Sequence, residues 1–231
     1  MMILALDTCF NACSVAIGPG SGGVVDSVVE RFEEMPSGQA ERLLPMIAEA
    51  LAEAKITLAD VTLIAVTSGP GTFTGTRIGI AAAKGLALDR AIPLVGLSSL
   101  HLIAREVAVR ASPTRDICVA IDVRREELYV QVFDPSGLIS RTEPTLMTVK
   151  QVLEIVRLRD VVLTGSGVSL MAEHGAFQPG DCLEMPTALP KARYALDVVS
   201  ARRQQGARAI SPLYLRAPDA KPSTAAPLQR L

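Results

Sequence analysis

The passage from Val61 to Leu88 constrains this chain more than any other. Val61–Thr67 is an apolar run of strand length, as expected for a strand covered on both faces. It leads into Ser68-Gly69-Pro70-Gly71-Thr72, and a helical pattern follows over about Phe73–Leu88. A doubly covered strand, a glycine-rich turn and a helix in immediate succession belong to a layered α/β architecture.

The flanking segments extend this unit. Ile3–Thr8 and Ala12–Ile17 are short apolar runs joined by a turn, which reads as a hairpin. Val24–Arg31 supplies a third strand rich in valine. Ser37 is the expected N-cap of a first helix, in which Ala40, Leu43, Leu44, Ile47, Ala48, Leu51 and Ala54 keep helical spacing. Pro45 should kink that helix or mark its first turn. A short strand at Pro93–Gly96 and a third helix at Ser98–Val109 follow.

The plan then repeats. Strands are expected at Ile117–Ile121, Glu127–Phe133 and Gly137–Arg141, a helix at Val149–Arg157, a strand at Val161–Thr164 and a late helix at Lys191–Gln204. The first strand of each half ends in an aspartate, Asp7 or Asp122. Two similar α/β lobes are expected, over 1–110 and 111–216, meeting near Ser112-Pro113-Thr114. Residues 217–231 carry three prolines and no aromatic and read as a mobile tail.

Charge narrows the function classes. The net charge is −1 and neither half is basic, which disfavours autonomous binding of a nucleic-acid backbone. No stretch approaches the roughly 20 apolar residues of a membrane helix, and no basic segment precedes the apolar start, so a cytoplasmic protein is expected. Cys9, Cys13, Cys118 and Cys182 then read as reduced, small hydrophobes. They do not combine with His101 and His174 at metal-site spacing, so neither metal nor cofactor is expected. His101, among Leu100, Leu102 and Ile103, reads as a packed residue, and His174 as one at a helix end.

Two features invite a functional reading. The segment Ser68–Gly79 opens a helix with glycines that clear space for a ligand, so Gly69, Gly71, Thr72 and Arg77 are candidates for an anion site. It lacks the closing Lys-Ser/Thr of a P-loop, and a tight, ligand-free turn explains the glycines equally. Gly75, Gly79, Ala83 and Ala87 form a smooth stripe that admits another helix closely, within the chain or from a partner. Paired with the bulky Leu43, Leu44, Ile47 and Leu51 of the first helix, this stripe is the candidate partner interface. Asp7 and Asp122 are candidates for a metal-nucleotide site or simple turn caps; side chains, not glycine, follow each of them.

Leu4-Ala5-Leu6-Asp7-Thr8, Cys13-Ser14-Val15-Ala16, Ser68-Gly69-Pro70-Gly71 through Arg77-Ile78-Gly79, and Ala83-Lys84-Gly85-Leu86-Ala87 together resemble the TsaB (YeaZ) family. Asp122–Tyr129 is similar to its second-lobe signature, and Pro212–Arg216 with Pro218-Asp219-Ala220 to its C-terminal one. The resemblance implies the actin-like, sugar-kinase-like (ASKHA) fold. It also implies a non-catalytic subunit that pairs with a catalytic relative, TsaD, in making tRNA N6-threonylcarbamoyladenosine. An ATPase, TsaE, joins the pair; tRNA is met only through the complex, and a homodimer stands in when the partner is absent. The His pair with which TsaD holds a metal falls here on Ser99 and Ile103, and Gln39 stands where many relatives carry a histidine. A stand-alone nucleotide phosphohydrolase or a glycoprotease-like enzyme of the same superfamily is the competing reading.

Overall fold

The computed structural model describes residues 1–20, 28–174, 189–201 and 210–216. The first sheet comprises β1 (Met2–Asp7), β2 (Ala12–Pro19), β3 (Val29–Glu34), β4 (Leu63–Gly69) and β5 (Leu94–Ser98), in the order β3-β2-β1-β4-β5. β1 and β3 pair antiparallel with β2, whereas β1–β4 and β4–β5 are parallel. The second sheet comprises β6 (Asp116–Asp122), β7 (Glu127–Phe133), β8 (Thr145–Thr148) and β9 (Val161–Thr164), in the order β8-β7-β6-β9. It repeats the first sheet without the last strand, including the parallel β6–β9 pair. This is the pair of mixed sheets expected of an actin-like, sugar-kinase-like fold.

The helices are α1 (Gln39–Glu53), α2 (Phe73–Leu88), α3 (Ser99–Ala111), α4 (Val149–Leu158), α5 (Gly167–Glu173) and α6 (Arg193–Ala201). Alternation along β1 sets the layers, because successive side chains point to opposite faces. Leu4 and Leu6 meet Leu43, Met46, Ile47 and Ala50 of α1 and Ile80, Ala83 and Ala87 of α2. Ile3 and Ala5 face the opposite layer, with Leu102 of α3 and Ala195, Leu196, Val198 and Val199 of α6. The other side of α3 carries Leu100, Ile103, Ala104 and Val107 into the core of the second sheet, beside Ile117, Val119 and Phe133. α3 is therefore buried over most of its surface because both lobes cover it. α4 and α5 cover the far face of the second sheet.

Several elements differ from the sequence reading. The third strand of the second lobe is Thr145–Thr148, not Gly137–Arg141. Asp134 explains the change: its Oδ1 accepts from the Leu138 and Ile139 amides and folds the segment into a turn, leaving a single bridge at Ser140. That turn docks on α3. A Cβ on Gly137 would lie 2.6 Å from the Ala104 carbonyl oxygen, and His101 Nε2 lies 3.1 Å from the Leu138 carbonyl oxygen. α1 begins after Gly38, in the left-handed conformation at φ 93°, and not at Ser37; Pro45 sits inside the helix rather than in its first turn. The described third strand of the first lobe is Val29–Glu34, held in register by β2, and the expected residues 24–27 lie outside the described residues. The same is true of 202–204 of the late helix, of Cys182 and of the tail. α5 was expected only as a helix end at His174, which is its C-cap, and α6 crosses back to the first sheet instead of serving the second.

The small-residue stripe also needs correction. Gly75, Gly79, Ala83 and Ala87 are buried within the chain, as are Leu43 and Ile47. A Cβ on Gly75 would stand 2.0 Å from the Thr8 carbonyl oxygen, and one on Gly79 would stand 2.8 Å from Thr8 Oγ1. The stripe exists so that α2 can lie directly on the ends of β1 and β4. Of the named interface residues Leu44 is exposed, at 54%, and Leu51 is half-buried. Among the described residues no helix is long and apolar enough to cross a membrane.

Ala83→Leu should consequently destabilise the isolated chain by about 1–3 kcal/mol through overpacking. For a chain of this size that is a fall of about 2–12 °C in melting temperature. An unchanged melting temperature would remove Ala83 from the core.

Candidate functional site

The two lobes meet in a cleft of about 580 Å³. The first lobe contributes Phe10, Asn11, Gly71 and Thr72; the second contributes Ile121, Asp122, Val123, Arg124, Tyr129 and Ser166. Leu189 and Arg216, from the C-terminal part of the chain, complete the lining.

The glycine loop forms one wall, and several of its polar groups are engaged by the chain itself. The Thr72 amide donates to the Cys9 carbonyl at 2.7 Å, and a Cβ on Gly71 would lie 2.4 Å from that same oxygen. Thr72 Oγ1 accepts from the Gly75 amide as a helix N-cap, and the Thr76 amide donates to the Thr72 carbonyl. Gly69, at φ 110°, lies against the Leu213 carbonyl, and the Leu213 amide donates to the Ser68 carbonyl at 2.7 Å. Arg77 is held by Tyr214, its Nε donating to the phenol oxygen at 2.7 Å. The glycines thus have reasons within the fold, and the amides of Thr72, Gly75 and Thr76 are not available to the anion that the sequence reading considered.

Residues 210–216 form a strap over this loop. Ile210 joins the first-lobe core, and Leu215 packs against the second. Arg216 reaches Glu127 at 3.0 Å and the Val123 carbonyl at 3.1 Å. The strap therefore ties the loop to the opposite wall of the cleft.

The two aspartates are not equivalent. Asp122 is exposed in the cleft, where its Oδ1 caps the following turn by accepting from the Arg124 amide at 2.8 Å. That turn carries Arg124, Arg125 and Glu126 in succession at positive φ. Asp7 is fully buried in the first lobe and does not line the cleft. Thr76 Oγ1 lies 3.7 Å from Cys9 Sγ, Cys9 Sγ lies 3.2 Å from Thr67 Oγ1, and the Thr67 hydroxyl donates to Asp7 Oδ1. Asp7 Oδ2 has no hydrogen-bond partner among the described residues. Burial pushes its carboxyl up to about 7 despite the hydrogen bonds from Thr67 and Cys9, and burial raises the Cys9 thiol as well.

The positions matched to a metal-binding His pair are also taken up by packing. Ser99 is buried, its hydroxyl donating to the Pro70 carbonyl, and Ile103 lies in the core between α3 and the second sheet. Gln39 Nε2 donates to the Phe10 and Met35 carbonyls, fastening α1 to the first hairpin. His101 packs tilted against Phe133, with ring centroids 4.8 Å apart, and His174 caps α5.

A family model described as TsaD, tRNA N6-adenosine threonylcarbamoyltransferase, matches residues 33–157. The tRNA threonylcarbamoyladenosine biosynthesis protein TsaB of Escherichia coli is 38% identical over 172 residues, covering 74% of this chain and 71% of that protein. The chain belongs to the TsaB family. The TsaB protein of Haemophilus influenzae extends the similarity to 94% of both chains at 29% identity. A crystal structure from Pseudomonas aeruginosa, of an uncharacterised protein with similarity to peptidase YeaZ, matches with a TM-score of 0.80. It is 30% identical, over 93% of this chain and 99% of that one.

Sequence reasoning missed the strap's role over the loop, because contacts between residues 213 and 68 leave no local pattern. It also treated Asp7 and Asp122 alike, whereas burial separates them. Asp7 has a folded pKa above its unfolded value of about 3.8, so stability is lost as pH rises from about 4 towards 7 and stays lower above that. The penalty at pH 8 is about 4 kcal/mol at most, at about 1.4 kcal/mol per pH unit. Asp7→Asn should therefore raise the melting temperature relative to the parent, by several degrees more at pH 8 than at pH 4. An equal difference at both pH values would mean that Asp7 titrates normally.

Proposed function

We propose that this chain is a non-catalytic subunit in the synthesis of tRNA N6-threonylcarbamoyladenosine, which docks on and activates a TsaD-like catalytic partner, with a TsaE-like ATPase joining them. Family membership supports the pathway. Engagement of the glycine loop by the chain's own backbone supports the accessory role. So does the packing of Ser99 and Ile103 where a metal-binding His pair would have to be.

The docking face we propose is the outward side of the α1–α2 pair rather than its buried stripe. Leu44 and Ala48 of α1 and Ala81, Gly85 and Leu88 of α2 are exposed. Gly85 carries this assignment: it lies inside a helix, and an added Cβ would meet nothing within 4 Å. A mid-helix glycine costs about 0.5–1 kcal/mol relative to alanine, and no close approach among the described residues accounts for it. A helix arriving from another subunit does. The partner shares the fold, so a pseudo-symmetric helix pairing follows, with a homodimer through the same face when the partner is absent.

Reconstitution tests the function. The chain with tRNA, threonylcarbamoyl-adenylate and ATP should give no modified adenosine, and adding the catalytic relative and the ATPase from the same cell should restore it. Turnover by the isolated chain would reject the accessory role. For the interface, Gly85→Leu should leave the chain's melting temperature unchanged or higher while weakening the complex about five- to over a hundred-fold, measured by sedimentation. An intact complex would place the interface elsewhere.

A further inference from the structure

The chain is poor in aromatics, with five phenylalanines, three tyrosines and no tryptophan. Two of them nevertheless lie exposed together. Phe73, in the first turn of α2, is 53% exposed, and Tyr214 of the strap is 45% exposed. Their rings stack with centroids 5.5 Å apart and planes 24° apart. Arg77, one turn along α2, sets its guanidinium carbon 3.6 Å from the Phe73 ring centroid, while its Nε donates to the Tyr214 hydroxyl. Among the described residues Arg77 has no carboxylate partner. An arginine fixed by aromatic contacts rather than by an ion pair keeps its charge and its remaining donors for something outside the chain.

This cluster continues into the cleft. Thr72, next to Phe73, and Arg216, two residues after Tyr214, line it together with Arg124. Arg124 is exposed and also has no ion pair among the described residues. The nearby carboxylates do not neutralise it. Asp122 accepts from the Arg124 backbone amide, and Glu127 pairs with Arg216. Glu126 lines a separate depression with Lys150 and Arg157. The rim thus presents two partly exposed aromatic rings, one of them carrying the Arg77 guanidinium, with Arg124 as a second uncompensated cation nearby.

We propose that this rim, Phe73, Arg77 and Tyr214 with Arg124, receives an unpaired stretch of the RNA substrate. Bases stack on the aromatic rings, and Arg77 and Arg124 take phosphates. Exposed aromatic rings combined with unpaired cations are what a single-stranded nucleic acid requires. The balanced overall charge keeps such a contact too weak to hold RNA alone, so it acts within the assembled complex. The inference rests on the proposed role in tRNA modification.

The experiment uses the complete complex. With the parent chain it must first modify tRNA; failure there rejects the proposed function, and this inference with it. Labelled tRNA is then titrated by fluorescence anisotropy at several salt concentrations, with assembly followed by sedimentation. Phe73→Ala and Tyr214→Ala should each weaken tRNA binding about 5- to 150-fold while the complex still assembles. Tyr214→Phe, which keeps the ring, should bind nearly as the parent does. Arg124→Gln should lower the salt slope by about one phosphate contact. Unchanged tRNA binding in the alanine variants would overturn the proposal. So would a loss of assembly that excess partner repairs together with tRNA binding, since the rim would then be a protein-docking site.

Discussion

The fold turns on the close approach of the first hairpin to the start of α2. The carbonyl oxygens of Thr8 and Cys9 occupy the space where Cβ atoms on Gly75 and Gly71 would stand. No other side chain fits there, because a Cβ would need to share the volume of a backbone oxygen. The contact seats α2 flat on β1 and β4 and closes a row of polar groups from Thr76 through Cys9 and Thr67 to Asp7. In a phosphate-binding protein a glycine loop leaves its amides to a ligand. Here the chain supplies the acceptors, and the loop becomes a structural joint.

A second joint lies at α3, where one helix belongs to both cores. Leu102 faces the first sheet, while Leu100, Ile103 and Val107 face the second. Polar contacts reinforce it: Ser98 donates to the buried Gln131 at 2.9 Å, and Arg105 bonds the Ser136 carbonyl and Asp197. With the strap bridging Ser68 to Glu127 on another side, the two lobes are fastened at more than one place. Such an arrangement suits a subunit that presents fixed surfaces to others more than one that opens and closes around a nucleotide.

Much of this was legible from the sequence, for a local reason. β7, α2 and β9 occupy the ranges expected from their apolar patterns, because each reports its own burial. The misreadings concern partners distant in sequence. A stripe of small residues announces close contact without saying with what, and the answer lay in Thr8, some seventy residues earlier. Gly137–Arg141 has strand-like composition, but Asp134 captures its amides first. Gly85 lies on the same helix as Gly75 and Gly79, and only the space around each one separates their roles. The aromatic rim was equally hidden, since Phe73 and Tyr214 are brought together by a strap that returns from the end of the chain.

The crossing of α6 to the first sheet bears on how the protein is made. The Ala192 amide bonds Ser14 Oγ across 178 residues, and α6 supplies the cover for Ile3, Ala5 and Ala65. During synthesis the amino-terminal half leaves the ribosome with that sheet face still wet. It stays so until Ala192 and α6 emerge. Cooperative folding of that sheet is thus deferred until α6 has been made, and a chain interrupted after the first lobe carries an uncovered apolar sheet that invites aggregation.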